Sequence, residues 1–92
     1  MLKDKYEFSD LVEIMKILRS ENGCPWDREQ THESLKKYLI EETYEVLEVI
    51  DLQDKDRLCE ELGDLLLQII FHAQIAAAAG KFAINDIITS IC

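Results

Sequence analysis

Two pairs of carboxylates, each spaced three residues apart, are the side chains of this sequence best suited to chemistry. Glu42 and Glu45 lie in the segment YLIEETYEVLEVI, and Glu61 and Asp64 lie in LCEELGDLLLQIIFHAQ. Both segments have the apolar spacing of helices, so each pair should share one helical face. Carboxylate oxygens are the ligands that Mg²⁺ and Mn²⁺ prefer. The spacing therefore predicts a site for a hard divalent cation, with two solvated acidic helix faces as the alternative.

Glu42 is the most informative of the four carboxylates. At about 100° per residue, the apolar residues of its segment gather on one side of a helix; they are Leu35, Leu39, Val46, Val49 and Ile50. Glu42 falls inside this apolar arc and Glu45 lies at its edge, whereas Glu41 points the other way. A carboxylate on a core face needs a cation, a hydrogen-bond network or a proton.

The segment that contains Glu61 and Asp64 predicts a helix that is covered almost all round. One apolar face holds Leu58, Leu62, Leu65, Leu66, Ile69, Ala73 and Ala76, and a second strip holds Leu67, Phe71 and Ile75. Glu61, Asp64, Gln68 and His72 run between them, which is typical of an internal polar site. The last helix expected in the sequence is too short to cover it, so we expect a dimer or higher oligomer.

Residues 24–32 show neither helical nor strand periodicity and contain the only proline and the only tryptophan. Trp26 either covers the end of a small core or belongs to an ordered loop that presents Trp26, Gln30 and His32 to a ligand. In the second case the indole would stack on a base. The residues alone leave both interpretations open.

Four helices are expected along the chain, and they define one all-α domain over residues 1–92, an antiparallel helical bundle. The first covers about residues 10–19 and stops at Asn22-Gly23, and the second runs from Thr31 or Ser34 to Asp51. The third is capped by Asp54 and closed by Gly80, and the fourth is capped by Asn85 and covers residues 86–92. Few glycines and prolines favour this helical class.

Composition narrows the range of partners. A net charge of −9 disfavours nucleic acid and anionic membranes as direct partners. Three widely spaced cysteines suggest neither a disulfide framework nor a zinc site and favour a reduced, cytoplasmic setting. No apolar run has the length of a membrane span, and the N-terminal residues lack the apolar core of a signal peptide.

Several motifs together resemble the MazG family of nucleoside triphosphate pyrophosphohydrolases. The run GCPWDREQTH occupies residues 23–32, EETYEV occupies residues 41–46, and EELGDLLLQ occupies residues 60–68. The resemblance spans nearly the whole chain. It implies an all-α fold, dependence on Mg²⁺ with Mn²⁺ as a possible substitute, and hydrolysis of a nucleoside triphosphate to the monophosphate and pyrophosphate.

The resemblance also assigns roles to residues. It places the metal ligands on Glu42, Glu45, Glu61 and Asp64, and substrate contacts on Gln68 and His72. Separately from the resemblance, we expect Trp26, Gln30 and His32 to contact the base or sugar, and Glu41 or Glu45 to take the proton of the attacking water. Family members usually continue with a basic run like KxxRRHPHVF after the fourth helix. We expect a 92-residue form without it to bind metal but turn over slowly, and the alternative is a nucleotide-binding or dimerisation module without turnover.

Overall fold

A computed structural model describes residues 3–92 of the chain, so Met1 and Leu2 lie outside the described part. Five helices follow one another, and the described residues contain no strand. They are α1 (Phe8–Leu18), α2 (Pro25–Glu29), α3 (His32–Asp51), α4 (Lys55–Ala78) and α5 (Ile84–Ile91). The all-α prediction is confirmed.

The two long helices begin and end where their capping residues predict. The Thr31 hydroxyl accepts a hydrogen bond from the Ser34 backbone at 3.0 Å, and the Ser34 hydroxyl accepts one from the Thr31 backbone. Asp54 accepts from the Arg57 backbone at 3.2 Å and starts α4. Gly80 ends the same helix with φ 71°, a conformation that glycine adopts without strain. These interactions thus determine where α3 begins and where α4 begins and ends.

Helices α3 and α4 form an antiparallel hairpin, and α1 and α5 both pack against α4. Contacts between Glu45 and Glu61 and between His32 and His72 show the antiparallel register, since one number falls as the other rises. Met15, Leu35, Ile70 and Phe71 form the core cluster, and each is at most 2% exposed. The main core therefore lies where α3 begins and in the second half of α4.

Two local predictions are wrong. Residues 25–29 form the short helix α2 rather than a loop, because Pro25 occupies its first turn and needs no N–H partner there. Helix α5 begins after Ala83 and not after Asn85. The Asp86 carboxylate accepts the Ala83 N–H at 2.9 Å, so the capping interaction comes from the third residue of the helix.

The apolar faces are only partly buried. Leu39 and Ile50 were expected on the core face of α3, yet they are 36% and 51% exposed, whereas Leu35, Val46 and Val49 are buried. On α4 the strip with Leu67, Phe71 and Ile75 packs into the core. Three residues of the other face, Leu62, Leu66 and Ile69, remain substantially exposed. Within residues 3–92, no third helix packs over the side of the hairpin that these exposed residues form.

No helix within residues 3–92 combines the length and the apolar character that crossing a bilayer requires.

Candidate metal and nucleotide site

Three carboxylates from the two hairpin helices converge on one small volume. Glu42 and Glu45 come from α3 and Glu61 comes from α4, and one oxygen of each lies within 4.8 Å of the others. The spacing of three residues puts Glu42 and Glu45 on one side of α3, and the antiparallel register brings Glu61 opposite. Oxygens this close could bind one cation together.

Two oxygens of this cluster are buried without a partner. Glu42 Oε2 and Glu61 Oε2 have no hydrogen-bond partner among the described residues. An unpaired buried carboxylate oxygen is unfavourable, and a bound cation or a proton removes that penalty. The donor set and its unpaired oxygens therefore fit a hard divalent ion such as Mg²⁺.

The raised pKa values of two of these carboxyl groups also favour a bound cation. Burial, followed by the charges of Asp64, Glu45 and Glu41, raises the pKa of Glu42 above its ordinary value of 4.5. A hydrogen bond with Glu45 is the main reason why the pKa of Glu61 is raised, with burial and the neighbouring charges adding to it. A hydrogen bond between two carboxyl groups requires a proton on one of them. Without a cation, Glu42 and Glu61 therefore hold protons more strongly than isolated glutamates do.

Asp64 and Glu41 stand beside this cluster rather than in it. Asp64 is exposed and does not belong to the group of three converging carboxylates. Its charge nevertheless raises the pKa of both Glu42 and Glu61, so it lies within electrostatic reach of the site. Glu41 is also exposed and acts on Glu42 through its charge.

We expect Glu42 to destabilise the metal-free protein increasingly as the pH rises above about 4.5. Its folded pKa is raised, so the folded state binds more protons than the unfolded state, and stability is lost as the pH rises through the folded pKa. Glu42→Gln removes this loss. The difference in unfolding free energy between the variant and the wild type should therefore grow from pH 4.5 towards neutrality in urea titrations with EDTA.

His72 contributes a pH dependence of the opposite sign, which is common to both proteins and cancels in their difference. Burial, and then the charge of His32, lowers the pKa of His72 below its ordinary 6.5. The unfolded state binds more protons near that pH, so this contribution to stability increases as the pH rises towards 6.5. A difference between wild type and Glu42→Gln that shrinks with rising pH would contradict the assignment to Glu42.

Two histidines meet at the other end of the hairpin. The Nδ1 atoms of His32 and His72 lie 2.7 Å apart, and the two rings are parallel to within 2°. One nitrogen must donate and the other accept, so the pair shares a single proton across this contact. His72 Nε2 and Gln68 Oε1 are buried and have no hydrogen-bond partner in the described chain. Both are free to contact a ligand.

Trp26 packs over part of the core, as one of the two interpretations of the sequence expects, and its contact with a ligand stays a prediction. Its ring packs edge-on against Tyr38 at 5.8 Å and Phe71 at 6.3 Å between centroids, so it covers the core. The same side chain is 49% exposed, which leaves part of the indole accessible. The Gln30 amide donates to the Trp26 carbonyl at 3.0 Å, and its oxygen accepts from the Ser34 hydroxyl at 2.8 Å. Trp26 and Gln30 thus lie in contact, whereas His32 contacts His72.

Sequence reasoning missed Arg19. Its guanidinium donates to the carbonyl oxygens of Asp27, Arg28 and Gln30, and so ties α1 to α2. A basic residue just after a helix that is followed by a tight turn is a signal for such carbonyl contacts. The His32–His72 contact was missed because no sequence pattern links residues that lie 40 positions apart.

Comparisons with known proteins agree with this fold. The profile of the MazG nucleotide pyrophosphohydrolase domain matches residues 30–92. A Thermotoga maritima protein named nucleoside triphosphate pyrophosphohydrolase/pyrophosphatase MazG is 60% identical over 84 residues, 91% of this chain and 33% of that relative. The Escherichia coli K12 nucleoside triphosphate pyrophosphohydrolase is 54% identical over 82 residues, covering 88% and 31%. The uncharacterized protein YabN of Bacillus subtilis is 56% identical over 86 residues, covering 94% and 18%.

The chain thus spans a third or less of the length of these curated relatives. The family match covers residues 30–92, which include the whole α3–α4 hairpin and its converging carboxylates. The resemblance noted in the sequence is confirmed, and the chain belongs to the MazG nucleotide pyrophosphohydrolase domain family.

Proposed function

We propose that this chain, as a single domain, hydrolyses nucleoside triphosphates to nucleoside monophosphate and pyrophosphate with Mg²⁺. The observation that carries the proposal is the convergence of Glu42, Glu45 and Glu61 from two helices, with buried oxygens that have no partner in residues 3–92. The Thermotoga maritima and Escherichia coli relatives, both named nucleoside triphosphate pyrophosphohydrolases, support the reaction. Three free cysteines agree with a reducing, cytoplasmic setting.

Four carboxylates would hold the cation: Glu42, Glu45 and Glu61 directly, with Asp64 as the fourth ligand that the family motif assigns. A bound Mg²⁺, or Mn²⁺ in its place, neutralises negative charge on the phosphates and on the attacking and leaving oxygens. The raised pKa of Glu42 and Glu61 supports this role, since a cation replaces the protons that the cluster otherwise retains.

An acidic residue of α3 accepts a proton from the attacking water. We assign the general base to Glu41 or Glu45, which lie on the same helix as the metal ligands and have exposed side chains. The base takes one proton from the water while the water oxygen attacks the α-phosphorus. The bond from the α-phosphorus to the bridging oxygen breaks, and pyrophosphate leaves.

The nucleoside end of the substrate is assigned to the cluster around Trp26. The accessible part of the indole can stack on a base, as expected for a half-exposed aromatic ring. Gln68 Oε1 and His72 Nε2 offer buried, unpaired polar atoms on α4. Gln30 and His32 complete the group of proposed contacts, because Gln30 contacts Trp26 and His32 contacts His72.

A second copy of the chain is the proposed cover for the exposed half of the hairpin. Leu39, Ile40, Thr43, Tyr44 and Leu47 line an open groove of about 480 Å³ along α3. Leu62, Leu66 and Ile69 form an exposed strip on α4. Pairing two such hairpins gives a four-helix bundle, and a two-fold axis makes each surface its own complement. Sedimentation equilibrium, expected to give a dimer or higher homo-oligomer, tests this assembly.

The reaction is tested by product analysis. A panel of nucleoside triphosphates is incubated with the protein in ¹⁸O-labelled water, with Mg²⁺, with Mn²⁺ or with EDTA. We expect pyrophosphate in equimolar amount to the monophosphate, the label in the monophosphate, and no reaction in EDTA. Label in pyrophosphate would place the attack at the β-phosphorus and contradict the proposed reaction.

The same panel distinguishes the second candidate function, a nucleotide-binding module without turnover. The observation in its favour is that Asp64, the fourth ligand in the family motif, does not belong to the group of converging carboxylates. Equilibrium dialysis with Mg²⁺ and radiolabelled nucleotide measures binding independently of hydrolysis. Binding without any pyrophosphate release would favour the module and reject hydrolysis by this chain.

A further inference from the structure

Arg19 follows the last residue of α1 and makes three hydrogen bonds to backbone carbonyls at the end of α2. Its Nε donates to the Asp27 oxygen at 3.0 Å, and its Nη2 donates to the oxygens of Arg28 at 3.1 Å and Gln30 at 3.2 Å. The last carbonyls of a helix have no partner within the helix. A planar guanidinium presents several donors in a fixed fork, so one side chain satisfies the end of α2.

Helix α2 depends on contacts of this kind. It has five residues, none of them buried, and no side chain caps its first turn. Isolated helices shorter than about 12 residues are marginal in water. The contacts that hold α2 therefore include the ring packing of Trp26 on Tyr38 and Phe71, the three bonds from Arg19 and two bonds from Arg28.

The charge of Arg19 strengthens these bonds. Hydrogen bonds from a charged donor are roughly twice as strong as neutral ones. Burial lowers the pKa of Arg19 and the nearby Asp27 carboxylate opposes that shift. The ordinary arginine pKa lies so far above neutrality that the side chain remains a cation. A lysine at this position would retain the positive charge but lose the planar, fixed arrangement of several N–H donors.

Gly23 lets the chain return closely enough to α1 for the Arg19 hydrogen bonds to form. A Cβ at this position would collide with the carbonyl oxygens of Ile17 and Leu18, and would lie 2.6 Å from the Leu18 carbonyl carbon. The Cys24 N–H donates to the Leu18 oxygen at 2.8 Å, which fixes the start of α2 against the end of α1. The α2 segment is thus held against α1 at both of its ends.

We propose that Arg19 is a positioning residue that holds Trp26 and Gln30 in the arrangement that receives the nucleotide. This inference rests on the proposed function, because it takes Trp26 and Gln30 as substrate contacts. Arg19 reaches the segment from α1, whereas the carboxylates belong to α3 and α4. Its loss should therefore weaken nucleotide binding and leave the chemical step intact.

Arg19→Lys tests the proposal, with Trp26 as the only tryptophan and hence an unambiguous fluorescence probe. We expect acrylamide to quench Trp26 more strongly in the variant. We expect KM for the best triphosphate to rise roughly 10-fold, with kcat within about twofold, because misplaced contacts lose binding energy. Melting curves followed by circular dichroism verify that the variant folds.

Arg28→Lys is the matched control. The Arg28 Nη1 donates to the carbonyl oxygens of Ser20 at 3.2 Å and Glu21 at 2.6 Å, so it makes the same kind of bond in the same region. Its acceptors carry no proposed substrate contact. We expect Trp26 quenching and KM to stay within about twofold of the wild type, the range of a peripheral substitution. Equal effects of Arg28→Lys and Arg19→Lys would overturn a specific role for Arg19.

A double-mutant cycle with Trp26→Ala provides the second measurement. If Arg19 acts through Trp26, adding Arg19→Lys to Trp26→Ala should raise KM by much less than 10-fold, since the two effects share one route. Independent effects that multiply, or an Arg19→Lys variant with altered quenching but unchanged KM, would overturn the proposal.

Failure of the proposed function gives a different pattern. Wild-type protein that neither binds nor hydrolyses nucleotide would remove the substrate role of Arg19 together with the proposed function. Quenching of Trp26 does not depend on substrate. If Arg19→Lys folds and leaves the quenching of Trp26 unchanged, Arg19 does not position Trp26, whether or not the wild type is active.

Discussion

Glu42→Gln is expected to abolish most pyrophosphate release while making the metal-free protein more stable. The amide keeps the size of the side chain but removes the charge that Asp64, Glu45 and Glu41 oppose. Loss of an outer-shell partner lowers metal affinity or activity by about 10–100-fold, and loss of a ligand should do at least as much. In scanning calorimetry, Mg²⁺ at 100 times its Kd should stabilise the wild type by about 2.7 kcal/mol, and the weaker affinity of the variant should reduce this gain to about 1.4 kcal/mol or less.

Glu48→Gln is the control for this substitution. Glu48 lies on the same helix and is exposed, and it is not part of the converging group. It should release pyrophosphate at the wild-type rate and retain the stabilisation by Mg²⁺. Full activity of Glu42→Gln, or an equal loss in Glu48→Gln, would mean that Glu42 does not hold the cation.

The candidate site could be predicted from the sequence to the extent that it depends on helical phase. The apolar arc placed Glu42 on the inner side of α3, and the buried, unpaired Glu42 Oε2 agrees with that prediction. Phase did not reveal that Asp64 lies outside the three converging carboxylates. That outcome depends on how far α4 rotates against α3, which side-chain packing sets. The contact of His32 with His72 likewise depends on the register of the hairpin.

The fold, like the site, was predictable where it depends on contacts within one helix, but not where it depends on packing between helices. The caps at Thr31 and Asp54 are local hydrogen bonds and were predictable. Helix α4 has apolar residues on two faces, so periodicity could not say which face meets the core. The structure buries Phe71 and leaves Leu66 substantially exposed. The choice is made by α1, whose Met15 packs against Phe71 and Leu35 in the core.

Leu35→Ala is expected to remove a large part of the stability of the protein. Leu35 is fully buried, and its cluster joins α1, α3 and α4 at one end of the hairpin. Truncating a buried leucine typically costs about 2–5 kcal/mol, whereas whole domains are stable by about 5–15 kcal/mol. Urea denaturation followed by circular dichroism should show a midpoint far below that of the wild type, with an unchanged slope.

Leu47→Ala separates the core from the surface that a second copy would cover. Leu47 is 52% exposed, so the same truncation should change stability by no more than about 0.5 kcal/mol in dilute protein. If a second copy covers α3, the wild-type midpoint should rise with protein concentration and the Leu47→Ala midpoint should rise less. Midpoints independent of concentration in both proteins would contradict the second copy. A Leu35→Ala loss no larger than that of Leu47→Ala in dilute protein would instead contradict the position of the core, because the exposed strip would then contribute as much as the buried cluster.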